Sequence, residues 1–160
     1  TTPSFDLETE IDASYPHEHI DRALIDSVLP QFTGNIMQVP PAFSACKVDG
    51  RRAYKIARKG RQPDLKAKEL VISEIEVLDW TSPRLTLRVV CSKGTYIRAL
   101  ARDIGAALGS GAHLTALRRT RVGDVSIDKC ITVPEMVEML ENAEVLTLEE
   151  WENQQNNNKI

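Results

Sequence analysis

The stretch LTLRVVCSKGTYIRALARDIGAAL, residues 85–108, decides the fold because its hydrophobic period changes partway along it. Apolar residues alternate up to Cys91, which predicts a strand. They then recur at helical spacing, as at Leu100 and Ile104, which predicts a helix. The period changes at Gly94, so a strand runs into a helix through a tight turn. Free backbone N–H groups at the start of such a helix are suited to binding anions.

Short strands and helices flank this stretch on both sides. Residues 69–80 alternate as a strand, and a change of parity between Ile72 and Ile75 predicts a β-bulge. Thr132 and Glu135 have the spacing of a capping box. The other predicted elements are helices over residues 16–29, 51–59, 95–108, 134–142 and 146–151, strands over 84–92, 114–121 and 125–127, and a strand or extended loop over 43–48. This order predicts an α+β fold with a mixed, mainly antiparallel sheet and flanking helices.

Charge is divided unevenly along the chain. Residues 1–46 carry one basic residue against seven acidic ones, residues 47–121 carry seventeen against seven, and residues 122–160 carry two against nine. A basic middle between acidic ends is typical of a protein that binds a polyanion. Charge scattered over solvated helix surfaces is the alternative explanation.

The composition argues against several other classes. No apolar run reaches the roughly 18 residues that a membrane span requires, so no membrane association is predicted. Three scattered cysteines, Cys46, Cys91 and Cys130, have no pairing pattern, which favours a reducing, cytoplasmic location. The three histidines lack metal-ligand spacing, so no metal site is predicted.

Four segments have the order and spacing of a known family. They are GNIMQVPP (34–41), FSACK with YKIARKG (43–47 and 54–60), CSKGTYIR with DIG (91–98 and 103–105) and GAHLTALRR (111–119). Together they resemble the TruB-type tRNA pseudouridine synthases. The resemblance implies a mixed sheet with outer helices and a cleft that takes the T-stem-loop of tRNA. It also implies conversion of uridine-55 in that loop to pseudouridine, with no metal or organic cofactor.

The resemblance assigns roles to individual residues. Tyr96 matches the tyrosine that holds a flipped base and can pass a proton to it. Arg98 matches the arginine that pairs with the catalytic aspartate. Leu117 matches an apolar wall of the base pocket, and Lys47 matches a lysine near the cleft. Without the resemblance, Tyr96 and Leu117 would be expected in a core, Arg98 in a surface ion pair and Lys47 in solvent.

Further basic residues are candidates for contacts with RNA phosphates, which position RNA without reading its sequence. Lys93, Arg118 and Arg119 lie within the family-like segments and are predicted to bind the substrate. The remaining candidates are Arg51, Arg52, Lys55, Arg58, Lys59, Arg61 and Arg121.

The catalytic aspartate of the family is not found in this sequence. The family carries it in a Gly-x-Leu-Asp-Pro-x-Ala-x-Gly segment, and none of the ten aspartates here precedes a proline. The chain is therefore expected to be the C-terminal part of a catalytic domain, truncated at its N-terminus (residues 1–142). A short helix and polar tail (143–160) would follow, with no appended RNA-binding domain. Alone, the chain is expected to be inactive and to self-associate. Arg98 would turn to solvent, bind an anion or take a substitute acid.

Two other functions are compatible with the residues. The basic middle segment could work alone as a non-catalytic RNA-binding or RNA-chaperone module. A hydrolase built on Ser92 or Ser44 with His113 is a weaker alternative, because neither serine lies in a nucleophile elbow.

Overall fold

The computed structural model of the chain describes residues 1–143. It contains two compact units, Thr1–Leu117 and the part that begins at Arg118, and each is described by itself. The helices of the first unit are Arg22–Val28 (α1), Ala53–Ala57 (α2) and Ile97–Ala107 (α3), with a 3-10 turn at Leu29–Phe32. Its strands are Gly34–Gln38 (β1), Lys47–Val48 (β2), Arg51–Arg52 (β3), Lys68–Thr81 (β4) and Arg84–Cys91 (β5). Within residues 1–143, no helix has both the length and the apolar character needed to cross a membrane.

A three-stranded antiparallel sheet, in the order β1–β4–β5, forms the centre of the first unit. Ile36 of β1 lies opposite Leu70 of β4. The register between β4 and β5 shifts between Ile72 and Glu74, which confirms the predicted bulge. The predicted strand–turn–helix is also confirmed, because β5 ends at Cys91 and α3 follows it.

The core packs α3 and α1 against this sheet. Leu100, Ile104 and Leu108 recur every four residues, so they share one face of α3, and each is at most 7% exposed. Ile25 of α1 and Ile72 of β4 join them in one apolar cluster. Burying a side chain of this size contributes about 2 kcal/mol to folding. The packing therefore fixes the turn between β5 and α3 firmly in place.

The first helix differs from its prediction at both ends. It was predicted over residues 16–29 but begins only at Arg22. Asp21 caps it by accepting a hydrogen bond from the Leu24 backbone N–H at 2.8 Å. Pro30 does not end the helical path, because it lies in the first turn of the 3-10 turn, where its missing N–H is not needed.

The segment around α2 differs from its prediction in both strand and helix. The helix predicted over residues 51–59 is split, because Arg51 and Arg52 pair with β2 before α2 begins. Residues 43–48 were predicted to be a strand or an extended loop, and of these only Lys47–Val48 form a strand.

The strand predicted over residues 114–121 is wrong. Of these residues only Arg121 is paired, opposite Ser126. The Leu114 N–H instead donates to the Phe5 carbonyl at 2.9 Å, so the chain here follows the N-terminal segment rather than a strand. A segment that has no neighbouring strand to pair with cannot form a ladder.

The second unit contains a tight hairpin and a capped helix. Its elements are Arg121–Val122 (β6), Val125–Ser126 (β7), a 3-10 turn at Ile127–Lys129, and Val133–Glu141 (α4). Thr132 and Glu135 form the predicted capping box, with the Glu135 carboxylate accepting from the Thr132 N–H at 2.6 Å. The helix predicted over residues 146–151 lies outside the described residues. The predicted domain boundary at residue 142 stays a prediction.

Candidate active site

The first unit contains an open cleft of about 550 Å³ beside the turn that joins β5 to α3. Its lining residues are Glu8, Phe43, Ser44, Ala45, Tyr54, Arg58, Tyr96 and Arg98. The two residues predicted to be catalytic, Tyr96 and Arg98, therefore lie in one cleft. Their neighbours come from the N-terminal segment, from the segment before β2, and from α2 and its C-terminal end.

The turn before α3 is fixed by its own backbone. Gly94 has a φ of +86°, a conformation that side-chain-bearing residues rarely adopt. The Thr95 hydroxyl donates a hydrogen bond to the Ser92 carbonyl at 2.9 Å. Tyr96 follows as the N-cap of α3.

Gln38, at the end of β1, holds the backbone of Tyr96. Its side-chain oxygen accepts from the Tyr96 N–H at 2.9 Å, and its side-chain NH₂ donates to the Tyr96 carbonyl at 3.2 Å. Gln38 is only 2% exposed. No functional role was predicted for Gln38 from the sequence. The available signal was a polar residue two positions after Ile36, on the buried face of a strand.

Arg98 is paired with an acid of the N-terminal segment. Its Nη1 lies 3.0 Å from Asp6 Oδ2 and also donates to the Ser4 carbonyl at 3.3 Å. Its Nη2 donates to the Phe43 carbonyl at 2.9 Å. The Arg98 side chain is 22% exposed. Of the three outcomes predicted for Arg98, the structure shows the substitute acid.

Asp6 is held from several directions. Its Oδ1 accepts from the Ser4 hydroxyl at 2.5 Å and from the Glu8 N–H at 2.9 Å. Partial burial raises the pKa of Asp6, but the hydrogen bonds from Ser4 and Glu8 and the charge of Arg98 outweigh it. The pKa is therefore lower than usual, and Asp6 is ionised at neutral pH.

The loop that carries Asp6 is anchored by Phe5. Phe5 has a φ of +59°, which is strained for a residue with a side chain. The Arg102 guanidinium lies over the Phe5 ring, 5.3 Å from its centre, and the Phe5 carbonyl accepts from the Leu114 N–H. The Thr2 hydroxyl donates to the Asp6 carbonyl at 2.7 Å. These contacts hold the loop in place despite the strain.

The Tyr96 hydroxyl points to a cysteine. Its oxygen lies 3.3 Å from Cys46 Sγ, and Lys68 Nζ lies 3.9 Å from the same sulfur. The hydrogen bond with Cys46 and partial burial raise the pKa of Tyr96, whereas Ser44 and Arg98 lower it. The net shift is upward, so the Tyr96 phenol keeps its proton at neutral pH and can act as a donor.

An ion pair crosses the rim of the cleft. Arg58 Nη2 lies 3.2 Å from Glu8 Oε1, and the Arg58 guanidinium lies 5.4 Å from the centre of the Tyr54 ring. Both charged side chains are more than half exposed. An exposed pair of this kind contributes little to stability.

The other predicted site residues do not line this cleft. Lys47 and Lys93 are exposed, and Leu117 is 66% exposed. Arg118 and Arg119 are exposed and belong to the second unit. Their predicted contacts with the base or with phosphates stay predictions.

The geometry does not favour the hydrolase alternative. Ser92 Oγ accepts from the Val71 N–H at 3.1 Å, and Ser44 Oγ has no hydrogen-bond partner within the described residues. His113 is not among the cleft residues. In residues 1–143, no group of three or more His, Cys, Asp and Glu side chains could hold a metal ion.

Two family models match consecutive parts of the chain. The model of the TruB family pseudouridylate synthase N-terminal domain matches residues 1–97. The chain belongs to this family. A second model, the tRNA pseudouridylate synthase B C-terminal domain, matches residues 98–154. The TruB resemblance predicted from the sequence is therefore confirmed.

Curated relatives and a solved structure agree with the TruB assignment. The chain is 63% identical over 145 residues to a tRNA pseudouridine synthase B of Phocaeicola vulgatus, covering 91% of this chain and 62% of the relative. It is 61% identical over 150 residues to that of Parabacteroides distasonis, covering 94% of this chain and 63% of the relative. The chain thus spans less than two thirds of the length of these relatives.

The solved structure is the crystal structure of a Cbf5-Nop10-Gar1 complex. One of its chains superposes with a TM-score of 0.61 at 31% sequence identity, covering 78% of this chain and 33% of that one. The α+β fold class predicted from the sequence is confirmed by this match.

Proposed function

We propose that the cleft belongs to a tRNA pseudouridine synthase that isomerises uridine-55 of the T-loop. This reaction breaks the bond between N1 of the base and the ribose, turns the base, and re-attaches it through C5. The observation that carries the proposal is the shared cleft, in which Tyr96 and the Asp6–Arg98 ion pair lie together. The names of the relatives support the same reaction.

Arg98 can serve a second carboxylate in the complete enzyme. A guanidinium has five N–H donors in a planar fork. The contacts to Asp6, Ser4 and Phe43 use only Nη1 and Nη2, and Nε of Arg98 has no hydrogen-bond partner within residues 1–143. Asp6 and the two carbonyls fix the fork, and a catalytic aspartate placed beside Nε would be kept ionised and oriented.

Tyr96 is suited to hold the base and to exchange a proton with it. Its ring borders the cleft, so a base extruded from the T-loop can pack against it. Its phenol keeps its proton at neutral pH, because its pKa is raised. A proton must leave C5 and one must reach N1 in the isomerisation, and a neutral phenol can take part in that exchange.

Exposed basic residues near the cleft would hold the tRNA backbone. Six of them, Arg51, Arg52, Lys55, Arg58, Lys59 and Arg61, are exposed within eleven residues around β3 and α2. Lys47 and Lys93 are also exposed. Such residues bind RNA phosphates whatever the RNA sequence, and their affinity for RNA falls as the salt concentration rises. A tRNA substrate also fits the cytoplasmic location that the free cysteines favour.

The isomerase proposal is tested by tritium release. Full-length protein is mixed with tRNA that carries tritium at C5 of uridine, since re-attachment through C5 releases that label. We expect release from the T-loop uridine with full-length protein and none with residues 1–160 alone, which lack the Asp-Pro segment. Absence of release with the full-length protein would contradict the proposal.

Self-association of the chain stays a second proposal. Three apolar residues at one end of the sheet are between 41% and 65% exposed. They are Met37 in β1, Val39 just after β1, and Val71 in β4. A patch of this kind favours contact with a second copy. Light scattering that shows a monomer at high protein concentration would exclude it.

A further inference from the structure

The segment Phe43–Cys46 lines the cleft through Phe43, Ser44 and Ala45, and every carbonyl of the segment accepts a hydrogen bond. The carbonyls of Phe43, Ser44, Ala45 and Cys46 accept in turn from Arg98 Nη2 at 2.9 Å, Tyr54 N at 3.0 Å, Arg52 Nη1 at 2.8 Å and Ala53 N at 2.7 Å. Four consecutive carbonyls held by four donors leave this segment little freedom to move. Its side chains are therefore presented in set positions.

The Ser44 hydroxyl is the exception in this well-bonded segment. Ser44 is only 4% exposed, and its Oγ is the one buried side-chain polar atom without a hydrogen-bond partner among residues 1–143. A buried hydroxyl left unpaired destabilises the folded state. Such a group calls for an explanation beyond packing, because an alanine would fill nearly the same space at no such cost.

The neighbour of this hydroxyl is the catalytic candidate Tyr96. Ser44 and Tyr96 line the same cleft, and the Ser44 hydroxyl lowers the pKa of Tyr96, yet no hydrogen bond of acceptable geometry joins the two groups. The Tyr96 hydroxyl is instead paired with Cys46 Sγ at 3.3 Å. A thiol is a weak hydrogen-bond partner and a serine hydroxyl is a stronger one. The Tyr96 hydroxyl is thus bonded to a weak partner, the Cys46 thiol, while a stronger one, the Ser44 hydroxyl, lies nearby.

We propose that Ser44 is a positioning residue for Tyr96, whose hydroxyl leaves Cys46 and pairs with the Ser44 hydroxyl when a base enters the cleft. This inference rests on the proposed function, because it is the base that moves the phenol. The occupied cleft then gains a hydrogen bond that the empty cleft lacks. This bond stabilises the position of the Tyr96 hydroxyl only when a base is bound. The unpaired hydroxyl of the free protein is the cost of that arrangement.

The first test compares kinetics and stability in the full-length protein. Ser44→Ala should lower kcat for tritium release about tenfold, the effect of one hydrogen bond, with KM unchanged. Its melting temperature should equal or exceed that of the parent, because the substitution removes an unpaired buried hydroxyl. The matched control is Ser27→Ala, which removes an exposed hydroxyl already bonded to the Leu24 carbonyl. It should leave kcat unchanged.

The opposite signs of the two readouts make the test decisive. A merely structural Ser44 would lose activity and melting temperature together. A rate for Ser44→Ala within about twofold of the parent, or a fall in rate matched by a fall in melting temperature, would overturn the proposal.

The second test needs no activity, so it separates failure of this inference from failure of the proposed function. The phenolate absorbance of Tyr96 is titrated in the protein, with Tyr96→Phe subtracted to remove the other tyrosines. The charged and titratable groups that face this phenol are Cys46 and Arg98, with Lys68 beside the Cys46 sulfur. Once Tyr96 loses its proton, its oxygen can only accept, and the unpaired Ser44 hydroxyl can donate to it. Ser44→Ala should therefore raise the pKa of Tyr96, and Cys46→Ala should lower it.

The outcomes of the titration are distinct. A Tyr96 pKa that stays unchanged in Ser44→Ala would overturn the proposal even if the enzyme is active. If the parent protein does not isomerise uridine, the proposed function fails, and the titration still decides whether Ser44 and Tyr96 are coupled.

Discussion

In the N-terminal segment, residues 1–13, and in the second unit, from residue 118, burial does not follow regular secondary structure. The N-terminal segment has no helix or strand, yet Thr2 and Ser4 within it are at most 1% exposed. The second unit has a hairpin and a capped helix, yet none of its described residues is buried. A helix or strand is therefore not required to hold a segment of this protein in place. The N-terminal segment is held by hydrogen bonds and ion pairs, as the contacts of Asp6 show.

The largest difference in stability between the two regions is expected for a matched pair of leucine substitutions. Leu100 of α3 is 2% exposed, and Leu140 of α4 is 64% exposed. Leu100→Ala should lower the free energy of unfolding by about 3 kcal/mol, because it leaves a cavity in the core. Leu140→Ala should change it by less than about 0.5 kcal/mol. Urea unfolding of both variants measures the difference, and equal effects would show that α4 is packed as firmly as α3.

A smaller effect on the free energy of unfolding is expected when the hydrogen bonds between Gln38 and the Tyr96 backbone are removed. Gln38→Leu removes both hydrogen bonds to the Tyr96 backbone and leaves the partly buried Tyr96 N–H without a partner, whereas the Tyr96 carbonyl still accepts from the Leu100 N–H at 3.0 Å. The free energy of unfolding should fall by about 2 kcal/mol. Asn35→Leu on the exposed face of the same strand is the control and should have little effect. Full stability in Gln38→Leu would mean that the packing of α3 alone positions the turn.

The smallest of these stability effects concerns Asp6 and depends on pH. The folded-state pKa of Asp6 is lowered, so its stabilisation is present above the unfolded pKa and is lost as pH falls through the folded one. Asp6→Asn should therefore be less stable than the parent at pH 7, by about 1 kcal/mol, because the pair is a quarter exposed and screened. The two proteins should converge once the pH falls below the folded-state pKa of Asp6.

The control for this pH test is Asp26→Asn, which breaks an exposed pair between Arg22 and Asp26 within α1. It should lose little stability at any pH. A gap between parent and Asp6→Asn that persists unchanged into acid would show that the carboxylate charge is not what holds the N-terminal segment.

The sequence could predict the parts of this molecule that repeat a pattern. β4, β5 and α3 follow from apolar periods of two and of about four residues, and the bulge in β4 follows from a change of parity. The capping box at Thr132 is a local signal of the same kind. Tyr96 and Arg98 were found because their segment resembles a family, and the cleft brings both together.

The parts that could not be predicted depend on contacts between distant residues. Asp6 and Arg98 are far apart in the sequence, and the segment around Asp6 has no period that would show where it lies. Gln38 gives no sequence signal that its partner is the backbone of Tyr96. The strand predicted over residues 114–121 failed for the same reason. A ladder needs a neighbouring strand, and Leu114 bonds instead to Phe5.

The most direct test of the account is tritium release by two arginine variants of the full-length protein. Arg98 lines the cleft and pairs with Asp6, whereas Arg88 of β5 pairs with Glu74 and Glu76 and is half exposed. We expect Arg98→Lys to lose at least about 100-fold in kcat, because an ammonium cannot hold Asp6, two carbonyls and a second carboxylate at once. Arg88→Lys should keep the parent rate. Equal rates for the two variants would contradict the claim that Arg98 organises the active site.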